Sequence, residues 1–337
     1  MAWPEAAPTP LTSPPAQVAA TRDEMAGLKA KAEAGDALAQ YDLGVSYRDG
    51  DGIPKDEVKA AEWFRKAADQ GLVTAQFNLA VLYDHGQGVK RDDAFAVAWY
   101  RKAADKGLVE AQVNLANFYL RGRGVSKDPR QAVAWYRKAA DQDSIFAQYN
   151  LGLLYQDGEG VKQDDAAALM WFLKSARQGD ADAQREVGEI YFSGKGVRRD
   201  DAEAARWYRK AAEQGDTKAQ FDLGVMTSLG LGLPKDLVES HKWLSLASAN
   251  ALGPLAEEYA ATRDGVARLM TPQQLVEARK RAKAWLAARL PEKQTARWGR
   301  AELVPIKNGR DDRIRTCDPL TPSQVRYQAA LHPGSRA

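Results

Sequence analysis

The sequence predicts an all-α chain built from six consecutive 36-residue helix pairs. Three observations predict it. The dipeptide Ala-Gln begins at Ala39, Ala75, Ala111, Ala147, Ala183 and Ala219, always 36 residues apart. Tryptophan keeps the same step at Trp63, Trp99, Trp135, Trp171, Trp207 and Trp243, so six of the nine tryptophans share one structural position. A glycine pair returns with them, from Gly50 and Gly52 to Gly230 and Gly232. Self-similarity at such a period marks an array whose units bury their apolar faces against each other. A tryptophan stripe can also stack on ligands, but at this regularity it reads as repeat core.

Taken in chain order, residues 1–22 come first, with Pro4, Pro8, Pro10, Pro14 and Pro15 among many alanines. They lack a basic n-region and an apolar h-region, so they read as a disordered leader, not a complete signal peptide. Residues 23–36 read as one capping helix that ends at Gly35. Residues 37–252 hold the six units. In the first, Ala39, Leu43, Gly44 and Tyr47 fall on one face of a helix. The glycine pair then ends that helix and turns the chain, because glycine tolerates positive φ. An aliphatic residue follows to plug the helix pair: Ile53, Val89, Val125, Val161, Val197 or Leu233. Three residues later stands Asp56, Asp92, Asp128, Asp164, Asp200 or Asp236, the expected N-cap of the second helix. Pro129, directly after Asp128, suits the first helical position. Ala60, Trp63, Phe64, Ala67 and Ala68 carry the buried side of the second helix, which Gly71, Gly107, Gly179 and Gly215 close in their units.

The pattern Ala-Gln-x-x-Leu-Gly-x-x-Tyr, then Gly-x-Gly-Val-x-x-Asp, then Ala-x-x-Trp-Tyr-Arg-Lys-Ala-Ala resembles the Sel1-like repeat, a bacterial relative of the tetratricopeptide repeat. The resemblance covers about residues 37–252 and implies an α/α right-handed solenoid. The last unit departs most, with Thr227 for the tyrosine, Ser240 for the alanine and Ala251 for the glycine. Terminal units drift because one face has no following repeat.

Residues 253–290 read as two C-terminal capping helices, about 255–267 and about 272–289, the second started by Thr271-Pro272 and stopped at Pro291. The stretch Arg263-Asp264 through Met270-Thr271-Pro272-Gln273-Gln274 to Glu277-Ala278 is similar to the C-terminal cap of bacterial Sel1-like proteins. Residues 291–337 lose all periodicity and read as a disordered or spurious tail. Their segment Asp312-Arg313-Ile314-Arg315-Thr316-Cys317-Asp318-Pro319 resembles translation across a transfer-RNA gene. Ile314-Arg315-Thr316 can be encoded by ATT-CGA-ACC, the reverse complement of the conserved T-arm. A basic interaction tail is the rival reading. The tail holds nine Lys/Arg against five Asp/Glu, more than the whole chain's net charge of +3. The rest is therefore near neutral, which removes the hint of a nucleic-acid partner.

Composition and motifs exclude several chemistries. No apolar run approaches the ~18 residues of a membrane span. One cysteine and three histidines leave no cysteine framework and little for a metal centre. No P-loop, dinucleotide fingerprint or serine elbow occurs. The paired carboxylates Asp92-Asp93, Asp164-Asp165 and Asp200-Asp201 sit in register with the caps, so capping is preferred to catalysis. Asp49-Gly50-Asp51-Gly52 fails as a calcium loop because Tyr47 and Val58 hold the first and last ligand positions. No catalytic residue, metal ligand or cofactor is therefore expected. The recurrent Arg-Lys pairs, such as Arg65-Lys66 and Arg101-Lys102, read as a solvated outer face.

What remains is a binding surface. The resemblance to tetratricopeptide domains implies a groove lined by the first helices, at Leu38, Tyr41, Asp42, Val45, Arg48 and Asp49 and every 36 residues on. One row is Tyr41, Phe77, Val113, Tyr149, Arg185 and Phe221, and the next is Asp42, Asn78, Asn114, Asn150, Glu186 and Asp222. Aromatic faces and amides can grip an extended peptide. In peptide-binding relatives an asparagine at the matching place touches the ligand backbone. The candidate groove residues are Tyr41, Phe77, Asn78, Asn114, Asn117, Tyr149, Asn150 and Arg185. Alternatively, the amides satisfy neighbouring helix ends or face water. Thr74, Glu110 and Phe146 stand where a carboxylate clamp needs basic residues, so a C-terminal carboxylate ligand is not indicated.

The expected function is a non-enzymatic adaptor or regulator binding an unidentified protein or peptide. The alternative is an envelope-associated regulator or assembly subunit, cell-wall or polysaccharide related. A β-lactam-binding hydrolase, a role linked to family members with disulfides inside their repeats, is disfavoured because no cysteine falls in the repeats. The chain's start as given implies a cytoplasmic protein, or a periplasmic one if an upstream signal sequence precedes it. Oligomeric state is not legible.

Overall fold

A computed structural model describes residues 22–289. The expectations for the leader (1–21) and the tail (290–337) lie outside the described residues. Among those described are fifteen helices and no strand. They are α1 (Arg22–Glu33), α2 (Ala37–Asp49), α3 (Glu57–Asp69), α4 (Val73–His85), α5 (Asp93–Asp105), α6 (Val109–Arg121), α7 (Pro129–Ala140) and α8 (Ile145–Asp157). Then follow α9 (Asp165–Arg177), α10 (Ala181–Ser193), α11 (Asp201–Glu213), α12 (Thr217–Leu229), α13 (Leu237–Asn250), α14 (Pro254–Ala267) and α15 (Pro272–Ala287). Even-numbered helices α2 to α12 are the first helices of the six units, and α3 to α13 the second. By packing, the chain divides into two compact units, with residues 22–111 described in one and 112–289 in the other.

The same three devices close the helix pairs. The first glycine of each pair ends its first helix in the left-handed region, as at Gly50 (φ 77°) and Gly158 (φ 71°). The aspartate then caps the second helix. Its carboxylate accepts from the amide two or three residues on, as Asp56 does from Lys59 at 3.0 Å and Asp236 from Val238 at 2.8 Å. Its own amide donates back to the carbonyl of the tyrosine that ends the first helix: Asp92 to Tyr83 at 3.0 Å, Asp164 to Tyr155 at 2.9 Å. Thr227 replaces that tyrosine in the last unit, and Asp236 still donates to its carbonyl at 3.1 Å.

The second glycine has a different duty. A β-carbon on Gly88 would lie 1.9 Å from the carbonyl oxygen of Glu57, and one on Gly232 would lie 2.1 Å from that of Asp201. Glu57 and Asp201 each open the second helix of the preceding unit. In these two repeats the loop therefore rests directly on the backbone of the repeat before it.

In the unit at 22–111, Met25, Ala32, Ala39 and Leu43 bury α1 against α2, with Tyr47, Ile53 and Trp63 packed at the margin. In the unit at 112–289, Tyr149, Phe172, Val187 and Trp207 form one core cluster. Tyr208, Leu223, Met226 and Trp243 form a second, reached by Trp285 and Leu286 of α15. Small residues set the approach within pairs: a β-carbon on Gly44 would meet the Phe64 ring at 2.8 Å, and one on Gly188 the Tyr208 ring at 2.8 Å. The tryptophan stripe is core, and Trp99, Trp135, Trp171, Trp207 and Trp243 are buried. In five units the lysine one turn on lies over the ring, from Lys102 over Trp99 at 3.6 Å to Lys174 over Trp171 at 4.1 Å. These lysines, four of them from the Arg-Lys pairs, thus cover the core from outside.

Candidate functional site

The first helices position every candidate groove residue. Tyr41, Phe77, Asn78, Asn114, Asn117, Tyr149 and Asn150 are all buried, between 0% and 4% exposed. Asn78 Nδ2 donates to Tyr41 Oη at 3.0 Å, joining neighbouring first helices. The ring of Tyr41 packs 5.4 Å from Phe64, that of Phe77 5.7 Å from Tyr100, and that of Tyr149 5.6 Å from Phe172. Burial pushes the Tyr41 phenol up to about 12. Asn117 accepts from the Tyr136 hydroxyl. Within each compact unit these aromatic and amide side chains are tightly packed among the helices.

The rows open where their chemistry changes. In α10 and α12 the same positions hold Arg185, Glu186, Phe221 and Asp222, all half-buried. Arg185 Nη1 lies 2.7 Å from Glu186 Oε1, its Nε 3.4 Å from Asp216, and its Nη2 3.6 Å from Asp182. Lys218 Nζ bridges Asp222 at 2.9 Å and Glu189 at 3.3 Å, and the Tyr208 hydroxyl donates to Glu189 at 3.0 Å. Five carboxylates thus surround two cations. Burial works against the Arg185 charge, but Glu186 and Asp216 outweigh it and hold the guanidinium above its ordinary value. Burial raises the Asp222 carboxyl even beside Lys218. Of this cluster the sequence placed Arg185 among the candidate groove residues and Glu186 and Asp222 in the row beside it, and missed Asp182, Glu189, Asp216 and Lys218. The available signal was the break in the row, where arginine replaces an aromatic residue and acids replace amides.

The dipeptide that sets the period has its own structural work. Gln40, Gln76, Gln148, Gln184 and Gln220 each donate to a carbonyl eight residues earlier, at the end of the preceding helix. A second glutamine, thirty residues on, donates to the first one's side-chain oxygen: Gln70 to Gln40 at 2.8 Å, Gln142 to Gln112 at 3.0 Å, Gln178 to Gln148 and Gln214 to Gln184 at 2.8 Å. Lys106 and Asn250 occupy the second position in the remaining ladders, and there Gln76 Oε1 and Gln220 Oε1 are buried without a partner.

No group of three or more metal-ligating side chains occurs among the described residues. Asp92, Asp164 and Asp200 are engaged as caps, while Asp93 and Asp201 pair with Arg91 and Arg199 at 3.1 and 2.6 Å. His85 Nδ1 sits 3.0 Å from the carbonyl oxygen of Val81 on its own helix. No described helix is long and apolar enough to cross a membrane.

A family model for the Sel1 repeat matches residues 37–72, 73–108, 109–144, 145–180, 181–216 and 217–252. Among solved structures, a Sel1 repeat protein from Oxalobacter formigenes is 32% identical, with a TM-score of 0.61 over 67% of this chain and 92% of its own. A protective antigen of uropathogenic Escherichia coli with the same repeat fold is 30% identical over 86% of this chain and 77% of its own, at a TM-score of 0.35. No curated protein matches. Sel1 repeats form a scaffold that commonly mediates protein interactions, and proteins built from them are generally non-enzymatic. Six consecutive repeats covering most of the chain, folded as stacked helix pairs, place it in the Sel1 repeat family.

Proposed function

We propose that this chain is a non-enzymatic adaptor that binds a protein or peptide along the face of its first helices. The observation that carries this reading is the opening of that face in α10 and α12. There the buried aromatic and amide rows give way to half-buried charged groups, with Asp182, Glu189 and Lys218 more than a third exposed at the side chain. Such groups offer directional contacts at the rim of a rigid floor. Within residues 112–289, Asn114, Asn117, Tyr149 and Asn150 hold that floor in shape while Arg185 reaches the rim, and within residues 22–111 Tyr41, Phe77 and Asn78 play the same part by themselves. Five of the six aspartates that looked paired are used in capping or ion pairing, which supports a scaffold over a hydrolase.

Site-specific photo-crosslinking in the source cells tests this reading. A photoreactive phenylalanine replacing Lys218 should capture a discrete protein partner. The same group replacing Arg206, on the second helix of the neighbouring pair, should not. Capture at residue 206 with none at 218 would overturn the proposal.

A further inference from the structure

His241 is the one titratable side chain of α13 that is buried, at 4% exposure. Helices α12, α14 and α15 all pack against α13. Ser245 Oγ lies 3.2 Å from His241 Nδ1. The charged groups acting on the imidazole are Arg263 and Asp264 from α14 and Arg279 from α15, with none from α12. Asp264 is already engaged by Arg263 at 2.7 Å, so the field at His241 is cationic on balance. Burial first, and then the two guanidinium groups, hold the imidazole below its ordinary value.

Gly253, which joins α13 to α14, has φ 57° and ψ −142°, a conformation that a residue with a β-carbon strongly resists. Tyr259 of α14 stacks on Phe221 with ring centroids 4.0 Å apart, covering the last aromatic position of the first-helix row. Trp285 of α15 meets Trp243 edge-on at 6.0 Å, and both indole N–H groups are buried without an acceptor. Polar ties also hold the seat of α14 and α15: Arg281 Nη1 lies 3.7 Å from Glu239 Oε2, Arg263 Nη1 donates to Ser248 Oγ at 3.3 Å, and Arg289 Nη2 donates to the Glu213 carbonyl at 2.7 Å. Two unsatisfied donors and a buried base among arginines nevertheless make this seat tolerate an added positive charge poorly.

We propose that α14 and α15 form an acid-released latch, closed over neutral His241 and opened when that imidazole takes a proton, which uncovers Phe221. The sign follows from linkage. The released state binds the proton at the ordinary histidine value, about 6.5, and the closed state only at lower pH. Closure is therefore fully favoured above about pH 6.5. Below that it weakens by up to about tenfold per pH unit, until the closed-state value is reached. The inference holds whatever the first-helix face binds.

Hydrogen-exchange mass spectrometry on the full chain at pH 7.5 and pH 5.0, corrected for intrinsic exchange, tests it. Wild type should lose protection in α14 and α15 by at least threefold at pH 5.0, while α8 to α11 keep theirs. His241→Gln should remove the response. Arg279→Gln, which leaves the imidazole in place, should shrink it by lowering the penalty for the proton. A flat wild-type response, or an undiminished one in His241→Gln, would overturn the latch. If His241→Gln fails to fold, an undiminished response in Arg279→Gln decides against it.

Discussion

At the scale of single residues, two glycines with nearly the same backbone hand separate conformational strain from contact. Gly107 has φ 90° and open space around its missing β-carbon, whereas Gly88 has φ 67° and the Glu57 carbonyl in the way. Gly107→Ala should cost about 1–2 kcal/mol, the left-handed penalty alone. Gly88→Ala should cost about 2–4 kcal/mol, because the loop must also lift from the preceding unit. Thermal melts followed by circular dichroism measure both, and equal losses would show that the loop is not seated as described. Asp143 takes the place of the closing glycine in the third unit with φ 61°, the one non-glycine residue at positive φ among those described. The glycines were legible because a turn advertises itself in composition. The Gly88 contact was not, since nothing in a sequence says which backbone a loop will touch.

At the scale of elements, the helix pairs were legible in detail. Period, caps and turn glycines are local signals, and all six aspartates cap as their position implies. The exception at the end of α13 is physical. Ala251 adopts φ −73° and ψ 155° where Gly215 reaches φ 97°, so the helix runs one residue longer before the chain turns. The glutamine ladder escaped notice because each bond joins residues thirty apart, and the dipeptide alone does not reveal its partner. The ladder makes a test of its own. Lys106 Nζ reaches the Gly71 carbonyl at 2.7 Å but leaves Gln76 Oε1 unpaired. Lys106→Gln should raise stability by about 0.5–1.5 kcal/mol by supplying the missing donor. Urea denaturation checks this, and a destabilised variant would mean that the ladder adds nothing where it is complete.

At the scale of the whole molecule, the helical architecture was readable from 36-residue self-similarity, the repeat family from the residue pattern that recurs with it, and the candidate groove only as rows of positions. Helical phase correctly placed the aromatic and amide rows on the first helices. It could not show that α4 and α8 bury theirs while α10 and α12 leave theirs partly open, because burial depends on what each neighbouring helix brings. Nor could phase group Asp182, Glu186, Glu189, Asp216 and Asp222 around Arg185 and Lys218, since these residues come from separate helices and a cap. The proposed function rests on that opening. Its most direct measurement is titration calorimetry of the cross-linked partner against three proteins: wild type, Asp182→Asn with Glu189→Gln, and Glu203→Gln on the second helix α11. The groove variant should bind at least tenfold more weakly at unchanged helicity and melting temperature, with Glu203→Gln within twofold of wild type. Equal affinity for all three would contradict binding through the first-helix face.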